Sequence, residues 1–320
     1  MRLIHRTSGT DLSSDSRDFL AIEGLPLSDL HALLDSAERL LPAAVGETHA
    51  QPQLQGRVIG NLFFEDSTRT RVSFEIAAKR LGADVVNLGS SGSSTSKGET
   101  LVDSARNIEA MGVDAIVVRT SISGGALLVA KNVSCPVINA GDGRHEHPTQ
   151  ALLDTLILRM RLKELSGVRV AIVGDIANSR VARSTTHALV ALGAHVIAIG
   201  PPALVPPWFG RLANGPGTIT ISHDLDSIIS EIDAIMMLRV QLERAVGSSI
   251  ASDYRSTYGL TAARAARLRA GVPVMHPGPV NRGVEIDDSV ADDPNLSVIM
   301  AQVSCGVAAR MAVLLRALRS

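Results

Sequence analysis

The chain has 320 residues, of which 45% are hydrophobic and 20% charged, with 31 basic against 32 acidic side chains for a net charge of −1. At about 150 residues per domain this length points to two domains, and the apolar content excludes disorder as the dominant state. The balanced charge excludes the strongly basic surface of a duplex-DNA binder, and 2% aromatic residues leave too few rings for base-stacking platforms.

In chain order, the first predicted helix covers residues 27–41, where Leu27, Leu30, Leu33, Leu34 and Leu41 fall among polar positions. A strand at 58–65 leads to a helix at 68–81 and a strand at 83–89. The low-complexity run Gly89-Ser-Ser-Gly-Ser-Ser-Thr-Ser-Lys97-Gly-Glu99 reads as a flexible surface loop. A helix at 99–111, strands at 113–119 and 136–141 and a helix at 148–163 follow. Beyond them come a strand at 168–175, a helix at 181–192, strands at 194–200, 218–222 and 233–239, one long helix at 249–269 and a strand at 272–275. A helix at 307–318 closes the chain, and the first 20 residues or so match no pattern and are expected to be disordered.

The strand runs are short and nearly continuously apolar, as strands buried on both faces are. Their alternation with helices predicts an α/β protein of two doubly wound domains, each a mostly parallel sheet flanked by helices. The boundary falls near residue 150, within the 148–163 helix. The first domain is 1–150, joined by the C-terminal helix at about 302–320, and the second is 151–301.

Ligands of open parallel sheets bind beyond the carboxyl ends of the strands. Six of the seven strand ends that open into polar sequence carry a basic side chain, among them Arg69, Lys97, Arg119, Arg144, Arg180 and Arg239. Such a cluster suits phosphate and carboxylates. In Glu65-Asp-Ser-Thr-Arg-Thr-Arg71, Ser67 suits an N-cap, so Thr68, Arg69 and Thr70 form the first turn of a helix, where free amides and the helix dipole attract phosphate. Arg71 lies about 200° round the helix from Arg69 and is expected to pair with Glu75. Pro148 suits the first position of a helix, which puts His147 at the cap and Gln150 along the same face, as a donor pair for a carbonyl oxygen. A metal site from His145, Glu146 and His147 is the weaker alternative, because adjacent side chains diverge.

Taken singly, Lys97, Arg119 and Arg180 read as solvated charges, Arg239 is more suggestive because it ends an apolar strand, and His276-Pro-Gly-Pro279 is a rigid turn with exposed carbonyls. Gly174-Asp175 begins like a dinucleotide-binding turn, but the later glycines are missing. No Walker lysine motif and no Gly-x-Ser-x-Gly elbow occurs. The two cysteines, Cys135 and Cys305, make no disulfide framework and suit a reducing cytoplasm. The N-terminus lacks a signal core, and no run of about 18 apolar residues stands out, so neither secretion nor a membrane span is expected.

The segment Phe63-Phe-Glu-Asp-Ser-Thr-Arg-Thr-Arg-Val-Ser-Phe-Glu75 resembles the carbamoyl-phosphate signature of the aspartate and ornithine carbamoyltransferases. Lys97-Gly-Glu-Thr-Leu101, Asn139-Ala-Gly-Asp-Gly143 with His147-Pro-Thr-Gln150, Arg239-Val-Gln-Leu-Glu-Arg244 and His276-Pro-Gly-Pro279 resemble the aspartate enzymes. The ornithine branch is expected to show His-Pro-Cys-Gln near 147 and His-Cys-Leu-Pro near 276, which this chain lacks.

The resemblance implies carbamoyl phosphate bound by Ser67, Thr68, Arg69, Thr70, Arg119, His147 and Gln150, with backbone groups at Pro277, Gly278 and Pro279. It implies L-aspartate bound by Arg180, Arg239 and Gln241 with Lys97, and a homotrimer in which Ser93 and Lys97 come from a neighbouring subunit. Arg69, Thr70, Lys97, Arg119 and His147 are the implied catalytic set, with no cofactor, metal, nucleic acid or membrane. Whether regulatory or dihydroorotase subunits join the trimer is left open. Cys305 stands where the family usually has asparagine. The rival readings are an ornithine carbamoyltransferase, a silent carbamoyl-phosphate-binding scaffold subunit and, more distantly, a nicotinamide dehydrogenase.

Overall fold

A computed structural model describes residues 17–89, 99–240 and 250–319. They divide into two units. The first runs to Leu153 and takes in Ser304 onward, and the second is Asp154–Val303.

The first unit is built on a four-stranded parallel sheet of β1 (Val58–Phe63), β2 (Asp84–Gly89), β3 (Ala115–Thr120) and β4 (Val137–Asp142), in the order β2-β1-β3-β4. β3 and β4 are buried along their whole length, as sheets covered on both faces are. β2 is largely exposed, as an edge strand tolerates. The helices are α1 (Leu27–Val45), α2 (Thr68–Arg80), α3 (Leu101–Ala110) and α4 (Gly125–Ala130). α1 runs past the expected residue 41 with Pro42 inside it, and ends at Gly46. α4 is absent from the sequence reading because Gly-Ala-Leu-Leu-Val-Ala carries no polar position to reveal a helical period.

The expected disorder of the N-terminus does not extend to residue 20. Phe19 is buried and bridges β4, with its amide on Val137 C=O at 2.9 Å and its carbonyl accepting from Asn139 N–H at 2.9 Å. The strap pairs the otherwise open β4 edge, and an edge strand gains from any partner. Residues 1–16 lie outside the described residues.

The second unit holds a five-stranded parallel sheet of β5 (Arg169–Val173), β6 (His195–Ile199), β7 (Thr218–Ser222), β8 (Ala234–Met237) and β9 (Val274–Met275), in the order β7-β6-β5-β8-β9. α5 (Pro148–Leu162) enters this unit, and α6 (Arg180–Ala191) follows β5. The expected single helix at 249–269 is two, α7 (Ile250–Tyr258) and α8 (Ala262–Ala265). The last carbonyls of a helix need donors, and Arg264 supplies them: its guanidinium reaches the carbonyls of Ser256 at 2.7 Å and Gly259 at 2.8 Å while pairing with Asp226. That guanidinium holds the Asp226 carboxyl below the usual carboxylate range. α9 (Asp288–Ala291) leads to α10 (Ile299–Ala317).

α10 starts eight residues earlier than the sequence suggests and is, by length and composition, apolar enough to cross a membrane. Its Ala308, Ala309, Met311, Ala312, Val313 and Leu314 are buried, Arg310 lies over the Phe74 ring at 5.1 Å, and Arg316 donates to Asp18 C=O. These contacts are those of a core helix.

Candidate active site

In the first unit the carboxyl ends of β1, β3 and β4 are neighbours. α2 begins directly beyond β1. Its first bond is Arg71 N–H to Ser67 C=O at 3.1 Å, which puts the amides of Thr68 to Thr70 at the positive end of the helix. Ser67 occupies the N-cap position as expected, but its side chain makes no capping bond. Thr68 and Arg69 are exposed and Thr70 is buried. The expected Arg71–Glu75 pair is not formed. Glu75 takes Lys79 at 2.6 Å and Asn87 at 2.9 Å instead, and both hold its carboxyl below the usual range. Lys79 is the i+4 partner of Glu75 in the favoured acid-before-base order.

Arg119 is buried at the end of β3. Its Nη1 donates to Ala140 C=O at 3.0 Å and its Nη2 meets Glu65 at 2.6 Å. The β3–β4 register shifts between Val118 and Thr120. Bulges of this kind re-aim side chains beside functional sites.

Beyond β4 the chain turns on Asp142. This buried carboxylate accepts Gly124 N–H at 2.8 Å, Asn139 Nδ2 at 2.9 Å and Glu146 N–H at 3.1 Å, and it meets His145 Nδ1 at 3.1 Å. Glu146, fully buried, accepts the amides of Ile22 at 2.9 Å and Glu23 at 3.0 Å. The side chains of His145 and Glu146 are thereby drawn to different partners. Pro148 opens α5 as expected, and the His147 carbonyl receives the amides of Gln150 and Ala151. His147 and Gln150 are both buried at this helix start.

In the second unit the ends of β5, β8 and β9 are neighbours. Gly174 follows β5 at φ +138°, where a Cβ would stand 2.9 Å from Leu238 Cβ, so the close approach of the segments leaving β5 and β8 explains this glycine. Asp175 accepts the Asn178 amide at 3.2 Å and its side chain at 2.9 Å, and Ser179 caps α6 by accepting Ala182 N–H at 3.0 Å. Arg180 is the first residue of α6 and is half-buried, as is Arg239 beyond β8. Ser179→Ala is expected to lower stability by about 1 kcal/mol, the usual worth of a cap, as read from the midpoint of urea unfolding.

The turn beyond β9 buries His276 and Pro277 and carries a cis Gly278–Pro279 bond. Gly278 sits at φ +64°, and its amide donates to His276 Nδ1 at 2.7 Å. Ser93, Lys97 and Gln241 lie outside the described residues.

Glu65, Asn139, Asp142 and Glu285 have no role in the sequence reading, although the first three lie in its motifs. An acid whose work is to hold an arginine or a loop amide gives no local signal. Cys135 is no candidate nucleophile, since burial and nearby Glu109 push its thiol up to about 12.

Residues 17–160 match the family model of the aspartate/ornithine carbamoyltransferase carbamoyl-P binding domain, and residues 166–317 match that of the Asp/Orn binding domain. The aspartate carbamoyltransferase catalytic subunit of Myxococcus xanthus (strain DK1622) is 54% identical over 300 residues, covering 93% of this chain and 98% of that one. Its counterpart in Granulibacter bethesdensis (strain ATCC BAA-1260 / CGDNIH1) is 52% identical over 298 residues, covering 92% of each chain. Aspartate transcarbamoylase from Trypanosoma cruzi, solved in complex with N-(phosphonacetyl)-L-aspartic acid, has a TM-score of 0.84 at 32% identity, covering 93% of this chain and 95% of that one. Ornithine carbamoyltransferase from Pyrococcus furiosus has a TM-score of 0.82 at 29% identity, covering 94% of this chain and 96% of that one. With both family models matched in series and relatives at half identity along nearly its whole length, the chain belongs to the aspartate/ornithine carbamoyltransferase family.

Proposed function

We propose that this enzyme transfers the carbamoyl group of carbamoyl phosphate to the amine of L-aspartate, giving N-carbamoyl-L-aspartate and phosphate, a step of pyrimidine biosynthesis. The observation that carries the choice of aspartate is the pair of arginines at adjacent strand ends, Arg180 beyond β5 and Arg239 beyond β8. Two guanidinium forks suit two carboxylates, whereas the second charge of ornithine is positive. The names of the relatives support the same substrate.

The first unit binds carbamoyl phosphate. The amides at the start of α2, with Ser67, Thr68, Arg69 and Thr70, hold its phosphate, and Arg119, His147 and Gln150 address its carbamoyl end. The second unit binds L-aspartate through Arg180, Arg239 and Gln241, while backbone groups of Pro277, Gly278 and Pro279 meet the carbamoyl NH2 and the incoming amine. The neutral amine attacks the carbamoyl carbon and a C–N bond forms. Arg119, His147 and Thr70 stabilise the charge that grows on the carbonyl oxygen. The bond between the carbamoyl carbon and the bridging oxygen then breaks, its electron pair leaves with the phosphate, and the amine's proton passes to that departing phosphate. Arg69 and Lys97 stabilise the departing phosphate. Orienting the two reactants supplies much of the acceleration, and no covalent enzyme intermediate is needed.

The assembly is a homotrimer in which Ser93 and Lys97 serve a neighbouring active site. Exposed Val72 and Ile76, one turn apart on α2, and Val86 on the edge strand β2 support an oligomer face on the first unit. The two cysteines, too few for a disulfide framework, accord with a cytoplasmic setting.

Supplied with carbamoyl phosphate and either amino acid, the purified protein is expected to form a ureido product with L-aspartate and not with L-ornithine. Product with L-ornithine alone would overturn the reading of Arg180 and Arg239. Binding of phosphate analogues without turnover of either would make the chain a scaffold.

A further inference from the structure

The turn beyond β9 rests on a buried polar chain confined to the second unit. His276 and Glu285 have fully buried side chains, with His276 Nε2 3.1 Å from Glu285 Oε1. His276 Nδ1 accepts the Gly278 N–H at 2.7 Å. A ring nitrogen that accepts carries no proton, so the proton of the neutral ring is on Nε2, donated to Glu285. Glu285 Oε1 also accepts the Asn281 amide at 2.6 Å, and Asn281 Nδ2 donates to the carbonyl of Val240, the residue after Arg239, at 2.9 Å. On its other side the His276 amide donates to Gln302 Oε1 at 2.9 Å. Gln302 Nε2 donates to Asp154 at 2.7 Å, and Asp154 also accepts Thr185 Oγ1 at 3.1 Å. Glu285 Oε2 has no partner among the described residues.

A buried carboxylate with an oxygen left over is costly, and an apolar pair of similar volume would hold the fold at least as well. Its value lies in geometry. We infer that His276 and Glu285 are positioning residues for the aspartate half of the reaction: the Nε2–H tautomer of His276 ties the turn carrying Pro277 and Gly278 to the segment carrying Arg239. This rests on the proposed function. The imidazole bridges Gly278 and Glu285 with one acceptor and one donor, and Glu285 passes the constraint through Asn281 to the Val240 carbonyl beyond β8. A second proton on the ring would set two donors, Nδ1–H and Gly278 N–H, against each other and release the turn. Supporting groups of this kind hold reacting residues within the tolerance that catalysis needs.

Two isosteric substitutions separate the arms. His276→Asn places an oxygen near Nδ1 and keeps the Gly278 bond but drops Glu285. His276→Gln reaches Glu285 and drops Gly278. Each is expected to raise KM for L-aspartate about tenfold, the worth of a buried hydrogen bond to a charged or strained partner, and to lower kcat, with a smaller rise in KM for carbamoyl phosphate, whose NH2 the same turn meets. Glu285→Gln, which keeps an acceptor, is expected to do less than Glu285→Ala. In the unsubstituted enzyme, nitrogen NMR of labelled histidine is expected to show a pyridine-type Nδ1 and a pyrrole-type Nε2 for His276, a readout that needs no folded variant. The inference is overturned by unchanged aspartate kinetics in folded His276 variants, by equal rises in KM for both substrates, or by a proton on Nδ1. If the unsubstituted protein uses L-ornithine in place of L-aspartate, the functional reading falls and this inference falls with it. Unchanged kinetics within an aspartate-active enzyme overturn the inference alone.

Discussion

Arg119→Ala is expected to lower kcat by about 10²–10³-fold, the usual cost of removing one preorganised donor from a developing oxyanion. The guanidinium is anchored before any substrate arrives. One arm holds the Ala140 carbonyl at 3.0 Å, the other holds Glu65 at 2.6 Å, and the side chain is only 10% exposed. A donor held in this way pays little reorganisation during the reaction, so its loss falls on kcat more than on KM. Arg119→Lys is expected to recover little, because an ammonium cannot span the carbonyl, Glu65 and the substrate with one planar fork. Steady-state kinetics at saturating levels of both substrates, together with urea melts, check this. An unchanged kcat in a folded variant would remove Arg119 from the reacting carbonyl.

Arg239→Ala is expected to raise KM for L-aspartate by roughly thirtyfold or more, corresponding to about 2 kcal/mol at the lower end of what truncating one partner of a buried charged pair costs. Arg180→Ala is expected to act in the same direction. KM for carbamoyl phosphate should stay where it is, since no part of that substrate is assigned to Arg239. The residue is half-buried between the apolar strand β8 and Val240, where the local dielectric is lower than at an open surface. Arg239→Lys keeps the charge but loses the fork, and a partial recovery would measure how much of the effect is charge alone. Equal rises in both KM values, or none, would contradict the assignment of Arg239 to a substrate carboxylate.

Much of the architecture is readable along the chain. All nine apolar runs are strands, within a few residues of the bounds they suggest. The strands are two to six residues long, of mostly β-branched and small apolar side chains, and a strand covered on both faces by helices needs no alternation. The ends that bear Arg69, Arg119, Arg180 and Arg239 were legible for the same reason, since polarity resumes where the sheet stops.

The misreadings have two causes, partners that the local pattern does not single out and an apolar run that shows no period. The 249–269 segment reads as one helix because nothing local shows that Arg264 will fold back onto the carbonyls of Ser256 and Gly259. Phe19 reads as part of a shapeless terminus because its partners, Val137 and Asn139, are more than a hundred residues away. Arg71 was expected on Glu75, but Lys79 and Asn87 hold that carboxylate in three dimensions. α4 hides because all six of its residues are apolar or glycine.

By itself the sequence determined the α/β class, the order of the strands along the chain, the helix start at Thr68 and the rigid turn at His276. These follow from propensity, period and backbone restriction, which act over a few residues. Only the tertiary structure decided that Glu65 holds Arg119, that Asp142 gathers the loop before His147, and that His276 and Glu285 join the β9 turn to the Val240 segment. Several of these bonds join groups far apart in sequence, such as Glu65 with Arg119 and Asn281 with Val240. Packing sets their partners by removing water, and a short window of residues holds no record of which distant donor will arrive.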